Sequence, residues 1–408
     1  PPDYSSAASD VYKRQVVIIE QQGRPPIFDT IDVESVTETE TDGYDVSLSQ
    51  TLFDLSAWFG WRAGKEQTQQ AEANLSAAQQ DLIVRVVQAY FGVLRAQDNL
   101  RASQARERAF ERQLEQTRQR FEVGLIAITD VYEAEAARDL AQVNRIVDEN
   151  NVAVAKENLS VLTGQTPGAL FVLGEQFDPR PPEGDRAEWV DFAMSNNYRL
   201  AAARFAEEAA RQNATSSRMG HAPTVTATYR YQDNETTGTI TQNPESTFNF
   251  PPNSEQTNET WQIRFDLPLS TGGAISANRR RAAEQFNAAR ESRINLTRNT
   301  VTQARSLHMT VMSDVSRVAA QKQSIISSQS ALDATQAGYE VGTRNIVDVL
   351  NAQNKLFGAQ RDYANSRYDY IINSLRLKEV AGTLSPEDIA TLEGFLLPPP
   401  APTASGSK

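Results

Sequence analysis

At 408 residues, 39% of them hydrophobic, the chain is too polar for a bundle of membrane helices, and no stretch approaches the roughly 18 consecutive apolar residues such a helix needs. Its net charge of −12 argues against a nucleic-acid partner. With no cysteine and only two histidines, His221 and His308, set far apart, it offers no disulfide scaffold, thiolate metal site or histidine cluster. Nor is there a glycine-rich phosphate loop or a nucleophile motif, so the sequence reads as non-enzymatic, with no cofactor and no metal.

The elements follow in chain order. Residues 1–43 read as a foreign or truncated N-terminus plus a first strand and extracellular loop. The first fifteen have neither a basic nor an apolar signal region and match a strand weakly. Residues 44–162 form a strand, a long helix, a hairpin tip and a half-length helix. In the strand, Tyr44, Val46 and Leu48 alternate with Asp45, Ser47 and Ser49, the period of a sheet with one apolar face. The helix, from about 56 to 121, is proline-free and would be roughly 100 Å long at 1.5 Å per residue. Its sparse seam at 107, 110, 114, 117 and 121 has coiled-coil spacing. It ends at Val123-Gly124, and a helix from about 130 to 162 returns, with Asp130 and Glu133 spaced as a capping box.

A proline-rich segment, 163–185, reads as an equatorial linker. Residues 186–382 then hold a helix (186–217), two strands, a long helix (about 274–339), a second tip at Gly342 and a return helix (346–381). In the strands Val225, Ala227, Tyr229 and Tyr231 alternate with polar residues, as do Trp261, Ile263, Phe265, Leu267 and Leu269. Asn345 and Asp348 repeat the capping-box spacing. The stretches 21–42 and 232–258 are long and polar and read as exposed loops. Residues 383–408 read as a short helix and a disordered tail from 398.

The chain is internally duplicated. Phe121-Glu-Val-Gly-Leu-Ile-Ala-Ile-Thr-Asp-Val131 recurs as Tyr339-Glu-Val-Gly-Thr-Arg-Asn-Ile-Val-Asp-Val349, and Tyr44 to Phe53 lines up with Trp261 to Ser270 at nearly the same separation. Apolar strand faces fit either a soluble sandwich core or a lipid boundary. In lipid a sheet must close, because edge amides there have no partner. One chain supplies at most four strands, so a barrel would be shared among copies. The rival class is a periplasmic coiled-coil adaptor or structural scaffold, which would have the hairpins without the paired strands.

The hairpin tips, the strand Trp261-Gln-Ile-Arg-Phe-Asp-Leu-Pro-Leu269, and the segments Gln50-Thr-Leu-Phe-Asp54 and Tyr363-Ala-Asn-Ser-Arg-Tyr-Asp-Tyr370 together resemble the TolC family of outer membrane efflux proteins. The resemblance covers about residues 44–394. It implies an α+β membrane protein: a homotrimeric outer membrane β-barrel with four strands per protomer, continuing into a long α-helical coiled-coil barrel in the periplasm. It implies a passive exit duct for drugs, toxic small molecules or secreted proteins, with a periplasmic adaptor, an inner-membrane transporter and outer membrane lipid as partners. The helix that precedes the first strand in the second repeat has no counterpart in the first, so the first repeat reads as incomplete.

The same resemblance assigns roles. Thr129, Asp130, Tyr339 and Arg344 would form a closed-state lock. Asp348 would project into the narrowest point, giving one acidic ring, since Asn351 stands where the family often has a second aspartate. Gly124, Leu125, Gly342 and Thr343 would receive an adaptor at the tips. Tyr229, Tyr231, Trp261, Ile263 and Phe265 would face lipid as an aromatic girdle. From spacing alone, Asp130 and Asp348 are equally explained as carboxylates in a first helical turn.

Overall fold

The computed structural model describes residues 5–19, 27–243, 246–249 and 254–398. The expected tail beyond 398 and the first four residues lie outside them. In order the elements are β1 (Ser5–Ile19), β2 (Ile27–Asp54), α1 (Leu55–Glu122), α2 (Ile128–Thr163), β3 (Val172–Leu173), α3 (Arg186–Asn196), α4 (Tyr198–Arg218), β4 (Thr224–Asn243), β5 (Ser246–Asn249), β6 (Ser254–Asp266), α5 (Ala274–Glu340), α6 (Ile346–Ala381), α7 (Pro386–Glu393) and β7 (Leu396–Leu397). They divide into two compact units, 1–62 with 211–284, and 63–210 with 285–408.

The first unit is built on an antiparallel sheet in the order β1-β2-β4-β6, with β5 pairing the far end of β4. The register sets Leu48 opposite Tyr229 and Tyr229 opposite Trp261, so one row crosses three strands on one face. Neighbouring rows join Val46 to Tyr231, Ala227 to Ile263, and Phe53 to Val225 and Phe265. This apolar face is bare: Trp261 is 78% and Ile263 76% exposed. A sandwich core would bury these residues, so that reading fails. The opposite face is polar, with Arg230 3.3 Å from Asp45 and the hydroxyls of Ser49 and Thr228 3.5 Å apart. Among the described residues β1 pairs only with β2, and β6 only with β4, so the sheet ends in two unpaired edges.

Two segments read as loops are mostly strand. β2 begins at Ile27 and β4 runs to Asn243. Here threonine supplies the β preference that apolar alternation supplies elsewhere. Thr41 lies opposite Thr236 with hydroxyls 3.2 Å apart, and Thr39 lies opposite Gly238. The weakly matched first strand is present as β1, paired from Ser5–Thr41 to Ile19–Ile27. At the end of β2 the Asp54 carboxylate accepts from Ala57 N–H at 2.9 Å, so the strand passes into α1 through a side-chain cap.

The second unit is helical. Without proline and rich in Ala, Gln, Glu and Arg, α1 runs for 68 residues and α5 for 67. α1 buries Phe110, Leu114 and Thr117 of the expected seam, whereas Phe121 stays exposed. Glu107 pairs with Arg145 of α2 at 2.8 Å. The single helix expected over 186–217 is broken at Asn197. Its side-chain Oδ1 accepts from Leu200 N–H at 2.8 Å, capping α4, while its Nδ2 donates to the Val380 carbonyl at 2.9 Å.

The segment read as a linker has a packed core. β3 pairs antiparallel with β7. Leu173 and Phe177 join Val84, Val87, Phe91 and Leu94 of α1 and Tyr368, Ile371 and Leu375 of α6. Tyr368 donates to Asp98; burial, and then the adjacent carboxylate, push its phenol far above the ordinary value, so it stays a donor at any physiological pH. Among the described residues no helix is long and apolar enough to cross a membrane.

Candidate functional site

The two hairpin tips share one backbone closure. At the first, Gly124 N–H bonds Phe121 O at 2.8 Å and Leu125 N–H bonds Arg120 O at 2.9 Å. At the second, Gly342 N–H bonds Tyr339 O at 3.1 Å and Thr343 N–H bonds Gly338 O at 2.8 Å. Both are Schellman closures, with the glycine at φ 78°. A side chain there would be strained, which accounts for glycine at both sites. Val123 and Leu125 at the first tip and Val341 and Thr343 at the second are exposed, so the tips present apolar knobs to solvent.

The return helices start differently. At the second tip the Asn345–Asp348 box forms: Asn345 Oδ1 accepts from Asp348 N–H at 2.8 Å, and Asp348 Oδ2 accepts from Asn345 N–H at 3.4 Å. At the first tip the Asp130–Glu133 box is absent. α2 begins two residues early, at Ile128 with Ala127 as its uncapped N-terminal neighbour, and Asp130 N–H already bonds the Ala127 carbonyl at 3.2 Å. Asp130 therefore sits inside the first turn, where its charge favours the helix dipole without capping it.

Arg344 lies 3.8 Å from Asp348, both partly in solvent, a pair worth no more than about 1 kcal/mol. Asp348 is half-buried and Asn351, one turn on, is exposed. Tyr339 packs into two apolar clusters. One joins Phe110 of α1, Ala141 of α2 and Ile346 and Leu350 of α6, and the other joins Leu332 of α5 to Val349, Ala352 and Leu356. Phe110 is 1% exposed at this meeting point of four helices.

The hydroxyl of Tyr339 is shielded and has no hydrogen-bond partner, and the Arg120 guanidinium lies 4.7 Å from its ring centroid. Beside them opens a cleft lined by Gln116, Gln119, Gln336 and Glu340. Arg120 escapes a reading of the sequence. The available signal is its place one heptad after Gln113, itself buried beside the seam residue Leu114. Thr129 is exposed and Asp130 half-buried, and no described contact joins their side chains to Tyr339 or Arg344. The chain thus brings Tyr339 to Arg120 and Arg344 to Asp348, and among the described residues no hydrogen bond or ion pair links the four expected lock residues to one another. In the sheet unit, Tyr229, Tyr231, Trp261, Ile263 and Phe265 do gather on one face, with the Tyr229 and Trp261 ring centroids 4.6 Å apart.

A family profile described as outer membrane efflux protein matches residues 31–165 and 189–383. The outer membrane protein TolC of Vibrio cholerae serotype O1 is 36% identical over 355 residues, covering 86% of this chain and 79% of that protein. The alkaline protease secretion protein AprF of Pseudomonas aeruginosa is 29% identical over 369 residues, covering 87% and 75%. Among solved structures, the outer membrane protein VceC of Vibrio cholerae superposes with a TM-score of 0.68 at 18% identity, over 93% of this chain and 87% of that one.

Proposed function

This chain belongs to the outer membrane efflux protein family, and from that premise we propose that three copies close one β-barrel, four strands from each, and extend it as a helical tunnel into the periplasm. The protein is an outer membrane exit duct for efflux and type I secretion. The observation that carries the trimer is the sheet, with a bare apolar face and two unpaired edges in one chain. The apolar band from Tyr44 to Phe53 matches the ~9–11 residues of a tilted transmembrane strand. A periplasmic adaptor or scaffold has no use for such a face, and that alternative is set aside. The mass of the detergent-solubilised assembly is the test: three chains support the reading, and a monomer soluble without detergent sinks it.

In this reading the duct works with secretion and efflux machinery through its tips. An adaptor docks at Gly124, Leu125, Gly342 and Thr343, where the exposed apolar knobs stand, and an inner-membrane transporter supplies cargo. The lock closes when Tyr339 and Arg344, unengaged with Thr129 and Asp130 in the single chain, meet them across the hairpins. The double substitution Tyr339→Phe with Arg344→Ser should raise single-channel conductance in a planar bilayer several-fold; unchanged conductance removes the lock.

Asp348 supplies one carboxylate per copy to the constriction, where three would concentrate multivalent cations. Asp348→Asn keeps an acceptor for the Asn345 N–H but removes the charge, so helix α6 should keep its cap. Block by multivalent cations should weaken several-fold in this variant. Equal block before and after the change counts against the ring.

A further inference from the structure

Just past the strands, the sheet unit carries aromatic residues and then unpaired arginines. Trp58 and Trp61 stand in the first two turns of α1, 56% and 61% exposed, with ring centroids 5.3 Å apart on one helix face. Leu267 and Leu269, just past β6, are exposed as well. Arg62 follows one turn after Trp58, Arg279, Arg280 and Arg281 follow in α5, and Arg218 ends α4; all five are exposed. The three helix ends adjoin: Ser56 and Ser216 share a hydrogen bond at 3.0 Å, and a Cβ on Gly220 would lie 3.2 Å from Ile275.

None of these five arginines has an ion pair among the described residues. Of the nearby acids, Asp54 caps α1, Asp266 binds Arg264 at 2.7 Å and Glu284 is not free, while Glu66, one turn after Arg62, makes no ion pair with it. A cluster of unpaired cations in a chain of net charge −12 calls for an outside partner. Arg62 and Arg279 also stand equally far along the chain from Tyr44 and Trp261, so both repeats carry the charge at the corresponding place.

That level identifies the partner. A helical turn carries Arg62 about 5–6 Å beyond Trp58. The headgroup layer, the difference between a ~30 Å hydrocarbon core and a 40–45 Å bilayer, is about 5–8 Å deep on each side. Tryptophan at the hydrocarbon boundary therefore puts the arginines among lipid phosphates. Guanidinium binds phosphate through paired N–H donors and stays charged at any relevant pH. We propose that Arg62, Arg218 and Arg279–Arg281 form a collar binding the phosphates of anionic phospholipids in the leaflet at the helical end of the barrel. The proposal rests on the outer membrane placement of the sheet.

Tryptophan quenching by brominated lipid tests it, in a background with Trp189 and Trp261 both replaced by phenylalanine, where only Trp58 and Trp61 of the four tryptophans remain to report on their own surroundings. The protein is folded into vesicles of phosphatidylcholine and phosphatidylglycerol, with one or the other brominated. Phosphatidylglycerol should quench preferentially, and rising salt should erase the preference. Arg279→Gln, Arg280→Gln and Arg281→Gln should each reduce it by up to about fivefold, whereas lysine at the same sites should retain most of it. Equal quenching by both lipids in the unsubstituted protein overturns the collar alone. No quenching by either overturns the membrane placement as well. Competition by inorganic phosphate or glycerophosphate would mark a site for soluble anions and also overturn the proposal. Should the glutamine variants fail to assemble, the salt titration on the unsubstituted protein still decides.

Discussion

Ile263→Arg should cost about 2–4 kcal/mol of membrane stability in each copy, the toll of a cation near the bilayer midplane. Ile263 lies between Trp261 and Phe265 in β6, opposite Ala227, on the bare apolar face. An arginine there has no carboxylate in its rows and must carry its charge into hydrocarbon or drag water after it. In the proposed barrel the substitution occurs three times around one ring, so the assembled form should be lost from heated gels and from urea titrations in vesicles. Gln262→Arg is the control. Gln262 faces the other way, opposite Thr228 on the polar side with Arg230 and Asp45, and the change should be nearly neutral. If Gln262→Arg proves the damaging one, the sheet faces lipid with its polar side and the account is wrong.

The second large effect is expected at Phe110→Ala, about 3–5 kcal/mol for removing a fully buried aromatic side chain. Phe110 is the one α1 residue in a cluster to which α2, α5 and α6 also contribute, so its cavity would open beneath Tyr339 at the root of both hairpins. Chemical denaturation of the detergent-solubilised protein should register the loss. Single-channel recording should show a noisier, larger conductance, because the tips lose their shared anchor. Phe121→Ala, in phase on the same seam but exposed, should cost far less. Equal costs at the two positions would mean that the cluster does not hold the hairpins together.

Much of this was legible in the sequence, for identifiable reasons. Long proline-free stretches closed by glycine left the helices little freedom: α1 and α5 begin and end within a residue or so of expectation, and α6 matches it. Alternation from Trp261 onward exposed the apolar face because both sides of that strand differ in polarity. Over Thr37 to Thr41 the pattern fails, since threonine and glutamate are polar on either face and only the pairing with β4 reveals a strand. Asn197 is equally opaque: mid-helix it is unremarkable, and its role as a break depends on the Val380 carbonyl far along the chain. At the tips, the glycines and the Asn345–Asp348 box follow from local rules. The pairing of Arg120 with Tyr339 does not, because it joins two helices whose register no local rule sets. The lock roles come from family resemblance, and no local rule in the sequence could supply them.

The two unpaired edges of the sheet also bear on how the protein comes into being. Each edge offers a row of backbone donors and acceptors that any passing strand can use. If the proposed trimer is right, a newly exported subunit has no safe solitary state: it must meet its own kind promptly or be captured by a wrong partner. Maturation should accordingly depend on subunit concentration and on escorts that shield the strands, and a folded monomer should be a fleeting species rather than a reservoir.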